Sequence, residues 1–378
     1  MKILFVNQSK YITGAENSLY ETLKLLKNRY RLYLASPFSD EIYKKFQPVC
    51  EKIFWIDLFI PDKRIRNLIN FIKDIIRFIK AEVRLMKVLA GEKIGVVHSN
   101  SVISGLFVVL PALLLRKRFF LHVREIYLDR RVKYLARIIF FFAEKVVFVS
   151  EATKFNYLYS KDNNKKFYVI YNVVPTLGSK IKSNNNSFYK RPVDLYNISY
   201  IGLIDERKGI DVLIKAVNFI LKNSLYKHFK VNIFGRAIDK KGIEYEKLLK
   251  SLVSNYGLDD FIIFRGFSPD IQKIYNDTDI LIHPARVEPL ARVLVEALYF
   301  GKVVIASDIS GNAEIIKDNV NGVLFKSGDF RDLAEKIIDV FKNYAHYRNK
   351  FRSYNLNFLK IFSKENHFKN LIKLYEKN

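Results

Sequence analysis

Short apolar runs alternate with amphipathic segments along most of the 378-residue chain. The runs predict buried strands, and the segments between them, whose apolar residues recur every three or four positions, predict helices. The predicted strands cover residues 3–6, 31–35, 52–55, 96–98, 119–122, 145–149 and 168–171, then 196–201, 230–234, 262–265, 280–283, 303–306 and 322–325. Strands that alternate with helices are typical of parallel sheets with crossover connections.

A polar segment rich in asparagine and serine separates the two sets of strands. It contains Pro175, Gly178 and Pro192, which is typical of a linker. We therefore predict an α/β protein with two doubly wound, Rossmann-like domains. The predicted divisions are a first domain at 1–175, a linker at 176–192, a second domain at 193–360 and a last helix at 361–378. Ligands of such sheets bind at the carboxyl ends of strands, and we expect a site in a cleft between the domains.

Two glutamates, Glu288 and Glu296, are the best clue to the chemistry. Pro289 suits the first turn of a helix and Gly301 suits its end, which predicts a helix that begins at Pro289. Eight residues of helix span about 12 Å, too far for two carboxylates to share a proton or a small metal ion. They could hold two ends of an elongated ligand, with backbone N–H groups facing an anionic middle. Those N–H groups belong to Leu290, Ala291 and Arg292.

The Glu-x7-Glu motif and the residues that follow it, 301–307, 311–316 and 321–324, resemble a known family. It is the retaining glycosyltransferases of family 4, also called group 1, which have the GT-B fold. The resemblance implies transfer of a sugar from a nucleotide diphosphate sugar to an acceptor hydroxyl, with retention of anomeric configuration. It also implies that Glu288 binds hydroxyls of the sugar, that Glu296 binds the ribose, and that the last helix crosses back onto the first domain.

The same resemblance places the donor diphosphate at the start of the second domain. Gly202 follows a predicted strand, and Lys208 stands before a glycine and a helix, where a cation can meet a phosphate. The family has a second cation, an arginine, directly after the first glycine, but this chain has Leu203 there. Arg207 and Arg292 are the two candidates to replace it.

Four further residues are placed by resemblance. Gly14 matches a glycine-rich loop near the donor phosphate, although only one of the usual two glycines is present. His122, at the end of a predicted strand, matches a histidine that contacts the donor sugar near the reacting centre; a structural histidine is the alternative. Gly235 would let the nucleotide approach closely, and Phe267 lies in the segment that borders the base.

The sequence offers no Cys and His cluster for zinc and no Asp-x-Asp pair at a strand end. The positive charge that the leaving diphosphate needs would come from Lys208, an arginine and a helix N-terminus. We therefore expect no metal and no cofactor besides the donor substrate. The single cysteine, Cys50, fits a reducing compartment. The chain start is too quickly polar for a signal peptide, and the apolar stretch at 101–115 is too short to span a membrane, so we expect a cytoplasmic protein.

The net charge of +26 is concentrated in the first half of the chain. Residues 1–190 hold 34 basic and 15 acidic residues, a net charge of +19, which leaves +7 for the rest. Within residues 64–90, a basic stripe is formed by Lys73, Arg77, Lys80, Arg84 and Lys87. An apolar face follows the same rhythm, formed by Ile65, Leu68, Ile72, Ile75, Ile79, Val83 and Met86, with Phe71 and Phe78 nearby.

Such a basic amphipathic helix can lie on an anionic membrane; an ordinary domain helix with its apolar side on the core is the alternative. A second basic, apolar segment, with Arg130, Arg131, Lys133 and Arg137, favours the membrane. We expect a peripheral protein on the inner face of the membrane, with a lipid-linked or polysaccharide acceptor in bacterial cell-surface glycan synthesis.

Two other functions stay open. A sugar-nucleotide epimerase of similar fold would act on the donor without an acceptor. A nucleic-acid binder would fit the sequence pI of about 9.8. However, the basic residues are spread over helices instead of being gathered with exposed aromatics into a recognised module, so we expect no nucleic-acid partner.

Overall fold

The structure is a computed structural model, and it describes residues 1–59, 68–158, 164–174, 195–224, 226–353 and 356–376. The chain forms two compact units. The N-terminal unit comprises Met1–Val173 and Phe362–Asn378, and the C-terminal unit comprises Val174–Ile361. The predicted linker at 176–192 lies outside the described residues.

The N-terminal unit contains seven parallel strands in the order β3-β2-β1-β4-β5-β6-β7. The strands are β1 (Lys2–Val6), β2 (Arg31–Ser36), β3 (Lys52–Trp55), β4 (Val96–Ser99), β5 (Arg118–Val123), β6 (Lys145–Phe148) and β7 (Phe167–Val169). The C-terminal unit contains six parallel strands in the order β10-β9-β8-β11-β12-β13. They are β8 (Tyr196–Ile201), β9 (Phe229–Phe234), β10 (Ile262–Gly266), β11 (Ile280–His283), β12 (Val303–Ser307) and β13 (Val323–Phe325).

Helices connect the strands of both sheets. The helices are α1 (Gly14–Leu26), α2 (Asp40–Phe46), α3 (Leu68–Gly91), α4 (Val102–Leu114), α5 (Arg130–Phe142), α6 (Glu151–Leu158), α7 (Ile210–Asn223), α8 (Lys240–Asn255), α9 (Ile271–Asp277), α10 (Arg292–Tyr299), α11 (Ser310–Ala313), α12 (Phe330–Lys342), α13 (Tyr344–Ser353) and α14 (Lys364–Glu376). Short 3-10 helices cover Gln47–Val49, Glu206–Lys208 and Leu356–Phe362. Each of the thirteen predicted apolar segments forms a strand, with bounds that differ by at most two residues.

Alternate residues of each N-terminal strand pack on opposite faces of the sheet. In β1, Leu4 and Val6 join a core with α3, α4 and α5, while Ile3 and Phe5 join a core with α1, α2 and α14. Because both faces are covered by helices, the strands read as nearly continuous apolar runs. The predicted α/β class with two doubly wound sheets is therefore confirmed, and α14 belongs to the N-terminal unit.

Candidate active site

The order of strands in the C-terminal sheet brings two distant segments together. β8 lies at the centre and pairs with both β9 and β11, so the connections on its two sides run in opposite directions. Ligands of doubly wound sheets bind at the carboxyl ends of the strands at this switch point. Lys208 follows β8 and Glu288 follows β11, and both therefore lie at this edge although 80 residues separate them.

Gly209 allows the turn that carries Lys208 to pack closely on a neighbouring segment. Its φ of +66° is in the left-handed region, which glycine adopts without strain. A Cβ at this position would also overlap the carbonyl oxygen of Pro284. Glycine therefore lets the Lys208 turn pack directly on the segment between β11 and α10.

A polar network holds that segment on the same turn. The backbone N–H of Arg286 donates to the carbonyl of Arg207 at 2.7 Å, and the Arg286 guanidinium pairs with both oxygens of Asp211 at 2.7 Å. The hydroxyl of Tyr245 donates to Asp211 at 2.7 Å as well. These three side chains stabilise the loop that carries Glu288, and the sequence analysis did not identify them. Tyr245 and Arg286 lie 34 and 75 residues from Asp211 in the chain, and no local sequence pattern indicates pairs so far apart.

Lys208 and Glu288 form a buried ion pair. Lys208 Nζ lies 2.5 Å from Glu288 Oε2, and His283 Nε2 lies 3.1 Å from the same oxygen. The Glu288 side chain is 9% exposed and that of Lys208 19%. Burial by itself would raise the pKa of Glu288, but Lys208 and His283 outweigh it and hold the pKa well below its ordinary value. Glu288 is therefore an ionised acceptor at neutral pH, with no proton to donate.

His283 is a neutral donor in this arrangement. Burial lowers the pKa of His283 despite the neighbouring carboxylate, so one ring nitrogen carries the single proton. Because Glu288 only accepts, that proton lies on Nε2. This hydrogen bond lets His283 orient the Glu288 carboxylate.

The helix after Glu288 begins later than the sequence predicts. α10 starts at Arg292, with Ala291 as its N-cap, so the prediction of a start at Pro289 is wrong. Contacts to neighbouring loops hold the preceding residues out of the helix. One of these contacts comes from Gly311, where a Cβ would overlap the carbonyl oxygen of Glu288. Leu290 and Ala291 thus precede the helix and are buried, and the N-terminal amides of the helix begin with Arg292.

Glu296 lies in an environment opposite to that of Glu288. It is the fifth residue of α10 and is buried. The hydroxyl of Tyr275 donates to its Oε2 at 3.0 Å. Burial raises the pKa of Glu296, although Arg292 and Tyr275 act against the rise. The pKa values of the two glutamates of the motif are therefore shifted in opposite directions, since burial prevails at Glu296 and Lys208 prevails at Glu288.

The two candidate arginines lie at different places. Arg207 is paired with Asp205 at 2.7 Å on an exposed turn, whereas Arg292 lies at the start of α10, where its charge acts on Glu296. Leu203, at the position of the missing cation, accepts a hydrogen bond on its carbonyl from Tyr200 at 2.7 Å.

Gly202 and Gly235 follow neighbouring strands, β8 and β9. A Cβ on Gly235 would overlap the carbonyl oxygen of Gly202, so glycine is needed there for the packing of the two strand ends. Phe267 follows β10 and is 65% exposed. The guanidinium of Arg236 lies over its ring, 5.3 Å from the centroid, so the two side chains form a cation–π pair.

His122 lies at the end of β5 within a buried polar cluster of the N-terminal unit. Its ring stacks on that of His98, with centroids 5.6 Å apart. Arg124 Nη2 lies 3.3 Å from His122 Nδ1. Burial and then the Arg124 charge lower the pKa of His122 well below its ordinary value. Arginine only donates, so Nδ1 accepts and the neutral ring carries its proton on Nε2. That atom has no hydrogen-bond partner among the described residues.

Arg124 organises this cluster. It donates to Asn100 at 2.6 Å and to Asn172 at 2.5 Å, which joins the ends of β4 and β5 to the residues after β7. His98 Nδ1 lies 2.5 Å from the hydroxyl of Tyr375 on α14. The sequence analysis did not identify Arg124 as the residue that joins these strand ends.

Gly14 is the first residue of α1, directly after the N-cap Thr13. Thr13 and Glu16 form a capping box, and burial raises the pKa of Glu16. The space around a Cβ at Gly14 is open. The predicted glycine loop is thus a capped helix start that follows β1, which pairs with β2 on one side and with β4 on the other.

The described ranges contain neither a metal-binding cluster nor a helix suited to span a membrane. No group of three or more His, Cys, Asp or Glu side chains there could hold a metal ion. None of the helices within those ranges is long and apolar enough to cross a membrane.

Comparisons with known proteins identify the family. Residues 12–176 match the family model described as glycosyltransferase family 4, and residues 182–358 match glycosyl transferases group 1. The chain is 27% identical over 245 residues to an uncharacterised glycosyltransferase of Methanocaldococcus jannaschii, covering 65% of this chain and 62% of the relative. It is 25% identical over 147 residues to a poly(ribitol-phosphate) alpha-N-acetylglucosaminyltransferase of Staphylococcus aureus, covering 39% of this chain and 28% of that one.

A solved structure shows the same fold. The Anabaena protein HepE, in complex with UDP and glucose, superposes over 100% of both chains with a TM-score of 0.82 and 18% identity. The chain therefore has the GT-B fold and belongs to the group 1 glycosyltransferases, a family of transferase enzymes. Its alignments span less than two thirds of the length of the curated relatives that it matches.

Proposed function

We propose that this protein transfers a sugar from a nucleoside diphosphate donor to an acceptor hydroxyl, with retention of anomeric configuration and without a metal ion. The observation that carries the proposal is the buried Lys208–Glu288 pair at the switch point of the C-terminal sheet. A lysine there matches a diphosphate, and an ionised carboxylate matches sugar hydroxyls.

Donor binding would rearrange this pair. Lys208 and Glu288 neutralise each other at 2.5 Å, so a diphosphate has to attract Lys208 away from the carboxylate. Glu288 would then accept hydrogen bonds from hydroxyls of the transferred sugar, while the His283 hydrogen bond keeps it oriented. The leaving diphosphate gains negative charge as the glycosidic bond breaks, and a nearby lysine stabilises that charge without a metal.

The other roles follow from the electrostatics of each residue. Glu296 would hold the ribose hydroxyls, and Arg292, in the first turn of α10, supplies a cation and a helix N-terminus for the diphosphate. His122 would donate from Nε2 to the transferred sugar near the reacting centre. Gly14, Arg207, Gly202, Gly235 and Phe267 would line the donor, with Phe267 beside the base.

The acceptor would be a lipid-linked glycan or a growing polysaccharide of the bacterial cell surface. The Staphylococcus aureus relative is named for an acceptor of the polymer class, poly(ribitol-phosphate). The excess of basic residues in residues 1–190 favours an anionic acceptor or surface. Transfer would then take place in the cytoplasm, at the inner face of the membrane.

A thermal-shift screen of the purified chain with nucleotides and nucleotide sugars tests the donor assignment. UDP is the first probe, since the HepE structure contains it. We expect stabilisation by at least one nucleoside diphosphate in wild type and a much smaller effect in Lys208→Met. Equal stabilisation of both proteins would contradict the role of Lys208.

Product analysis with the donor so identified tests the reaction. Glu288→Ala should abolish transfer and leave the far-UV circular dichroism unchanged, and wild-type activity in that variant would refute the assignment. Full activity in excess chelator is required by metal independence, and NMR of the product has to show the anomeric configuration of the donor. A changed donor sugar without an acceptor would indicate the epimerase instead.

A further inference from the structure

Exposed apolar side chains are concentrated on three helices of the N-terminal unit. Fourteen of the 26 large apolar side chains that are exposed in the described part of the chain lie on α3, α4 and α5, which supply only 50 residues. They are Ile69, Phe71, Ile72, Ile75, Ile76, Ile79 and Val83 on α3, Leu110, Leu113 and Leu114 on α4, and Tyr134, Ile138, Phe141 and Phe142 on α5. All three helices cover one face of the sheet, and α4 contacts both neighbours. We call their outward side the three-helix surface.

The apolar stripe of α3 does not face the core. The buried core residues of α3 are Ala81, Leu85 and Leu89, and the partly buried Phe78 and Val88 pack against the same core. Four residues of the stripe that the sequence analysis identified are instead 39–52% exposed, and Met86 is half-buried. The four are Ile72, Ile75, Ile79 and Val83. The alternative that this stripe packs on the core is therefore wrong for these four residues, while Ile65 and the side chain of Leu68 lie outside the described part of the chain.

Basic residues border the apolar stripe. At 100° per residue, α3 presents its core residues, its exposed isoleucines and its lysines and arginines on three successive sides. Together α3, α4 and α5 carry nine basic and two acidic residues, and one of the acidic ones, Glu82, is buried. Among the basic residues, Lys73, Lys80 and Lys87 repeat every seven positions, so they lie along one line of the helix.

We propose that the three-helix surface docks on an anionic phospholipid membrane. Its basic residues would meet the lipid phosphates, and the isoleucines of α3 would enter the headgroup region. This combination of exposed apolar side chains with adjoining positive charge matches the chemistry of that surface, whereas a purely polar polyanion would leave the isoleucines in water. The proposal rests on the proposed function in one respect, since it names where the acceptor of the transfer is held.

Vesicle sedimentation with the full chain tests the proposal without any catalytic readout. Vesicles of phosphatidylcholine mixed with phosphatidylglycerol are compared with phosphatidylcholine alone. The charge variant replaces Lys73, Lys80 and Lys87 by glutamine, and its control replaces three exposed lysines of α8 in the C-terminal unit, Lys240, Lys241 and Lys247, by glutamine. The net charge of the two proteins is equal. Each basic residue near an anionic surface contributes a factor of about five, so the α3 variant should bind up to about 100-fold more weakly and the α8 control nearly as wild type.

A second variant tests insertion of the apolar stripe. Ile72→Ser, Ile76→Ser and Ile79→Ser together remove exposed methyl groups, so the thermal unfolding of the protein should not change. Binding that remains at high salt, where charges are screened, should be lost in this variant. Unchanged binding would contradict insertion.

Three outcomes would overturn the docking proposal. The first is equal loss of binding in the α3 and α8 variants, since vesicle binding would then depend on the net charge of the protein and not on the three-helix surface. The second is a concentration-dependent dimer that the isoleucine substitutions break, since a second copy would then cover the surface. The third is wild-type protein that a nucleotide stabilises but that binds neither vesicle, which would leave the proposed transfer intact.

Discussion

Replacing Lys208 by methionine should destabilise the C-terminal unit because it leaves a buried charge without its cation. The Glu288 side chain is 9% exposed, and within the described ranges its carboxylate has, besides Lys208, only the neutral His283 as a side-chain hydrogen-bond partner. Removing one partner of a fully buried ion pair costs about 3–5 kcal/mol. Because 19% of the Lys208 side chain remains exposed, we expect a smaller loss of about 2–4 kcal/mol.

A double-mutant cycle separates this effect from lost packing. Glu288→Gln keeps an oxygen for His283 and leaves a lysine that can reach water, so it should cost about 1 kcal/mol. The double variant should be more stable than the sum of the two changes predicts, with a coupling free energy of about 1.5 kcal/mol or more. Lys241→Met on the exposed face of α8 is the matched control, and it should change stability by less than about 0.5 kcal/mol.

The stability difference between wild type and Lys208→Met should depend on pH. The pKa of Glu288 is lowered on folding from its ordinary value of 4.5, so its contribution to stability is present above that value and is lost as the pH falls towards the folded pKa. The difference should be full at pH 7 and shrink below about pH 4.5.

Urea denaturation followed by two probes gives the measurement. Trp55, the single tryptophan, lies in β3, so its fluorescence follows the N-terminal unit, while far-UV circular dichroism follows both units. A loss for Lys208→Met no larger than that for Lys241→Met, or a coupling free energy near zero, would refute the buried pair.

Three further predictions concern Glu296, Gly209 and His122. Glu296→Gln keeps a partner for Tyr275 and removes a carboxylate whose pKa burial raises. Wild type should therefore lose stability relative to the variant as the pH rises from 4.5 through that pKa, which melting curves at pH 5 and pH 8 measure. A nucleotide should also stabilise the variant less than it stabilises wild type. Gly209→Ala forces a Cβ against Pro284 at positive φ, so it should cost at least about 1 kcal/mol and weaken nucleotide binding by displacing Lys208, as seen by thermal shift. His122→Ala should reduce transfer with little effect on UDP binding, because the proposal assigns it to the sugar; equal loss of both would support a structural role.

The sequence predicted the strands well because the strands inside the sheets are buried on both faces and form nearly continuous apolar runs, as in β1, β4 and β12. The order of the strands along the chain, with a linker between the two sets, then predicted two sheets. The motif around Glu288 indicated the family and the residues to examine. These features depend on local composition, on short spacings or on a resemblance carried by contiguous residues.

The start of α10 shows where local patterns stopped being informative. Pro289 favours a helix start, but contacts from Gly311 and from the Lys208 turn hold residues 284–291 out of the helix. Tertiary contacts from other loops outweighed the preference of one residue. Gly235 is similar, since its need for glycine comes from the neighbouring strand end.

Only the tertiary structure decided how the site residues pair. β8 lies beside β11, which brings Lys208 within 2.5 Å of Glu288, and this changes a cation and a carboxylate, predicted separately, into one buried pair. Only the structure showed that the isoleucines of α3 are exposed, because the sequence defines an apolar stripe but not which side of a helix meets the core. Spacing along the chain fixes the positions of side chains on one element, whereas neighbours from distant elements fix their charge state and exposure.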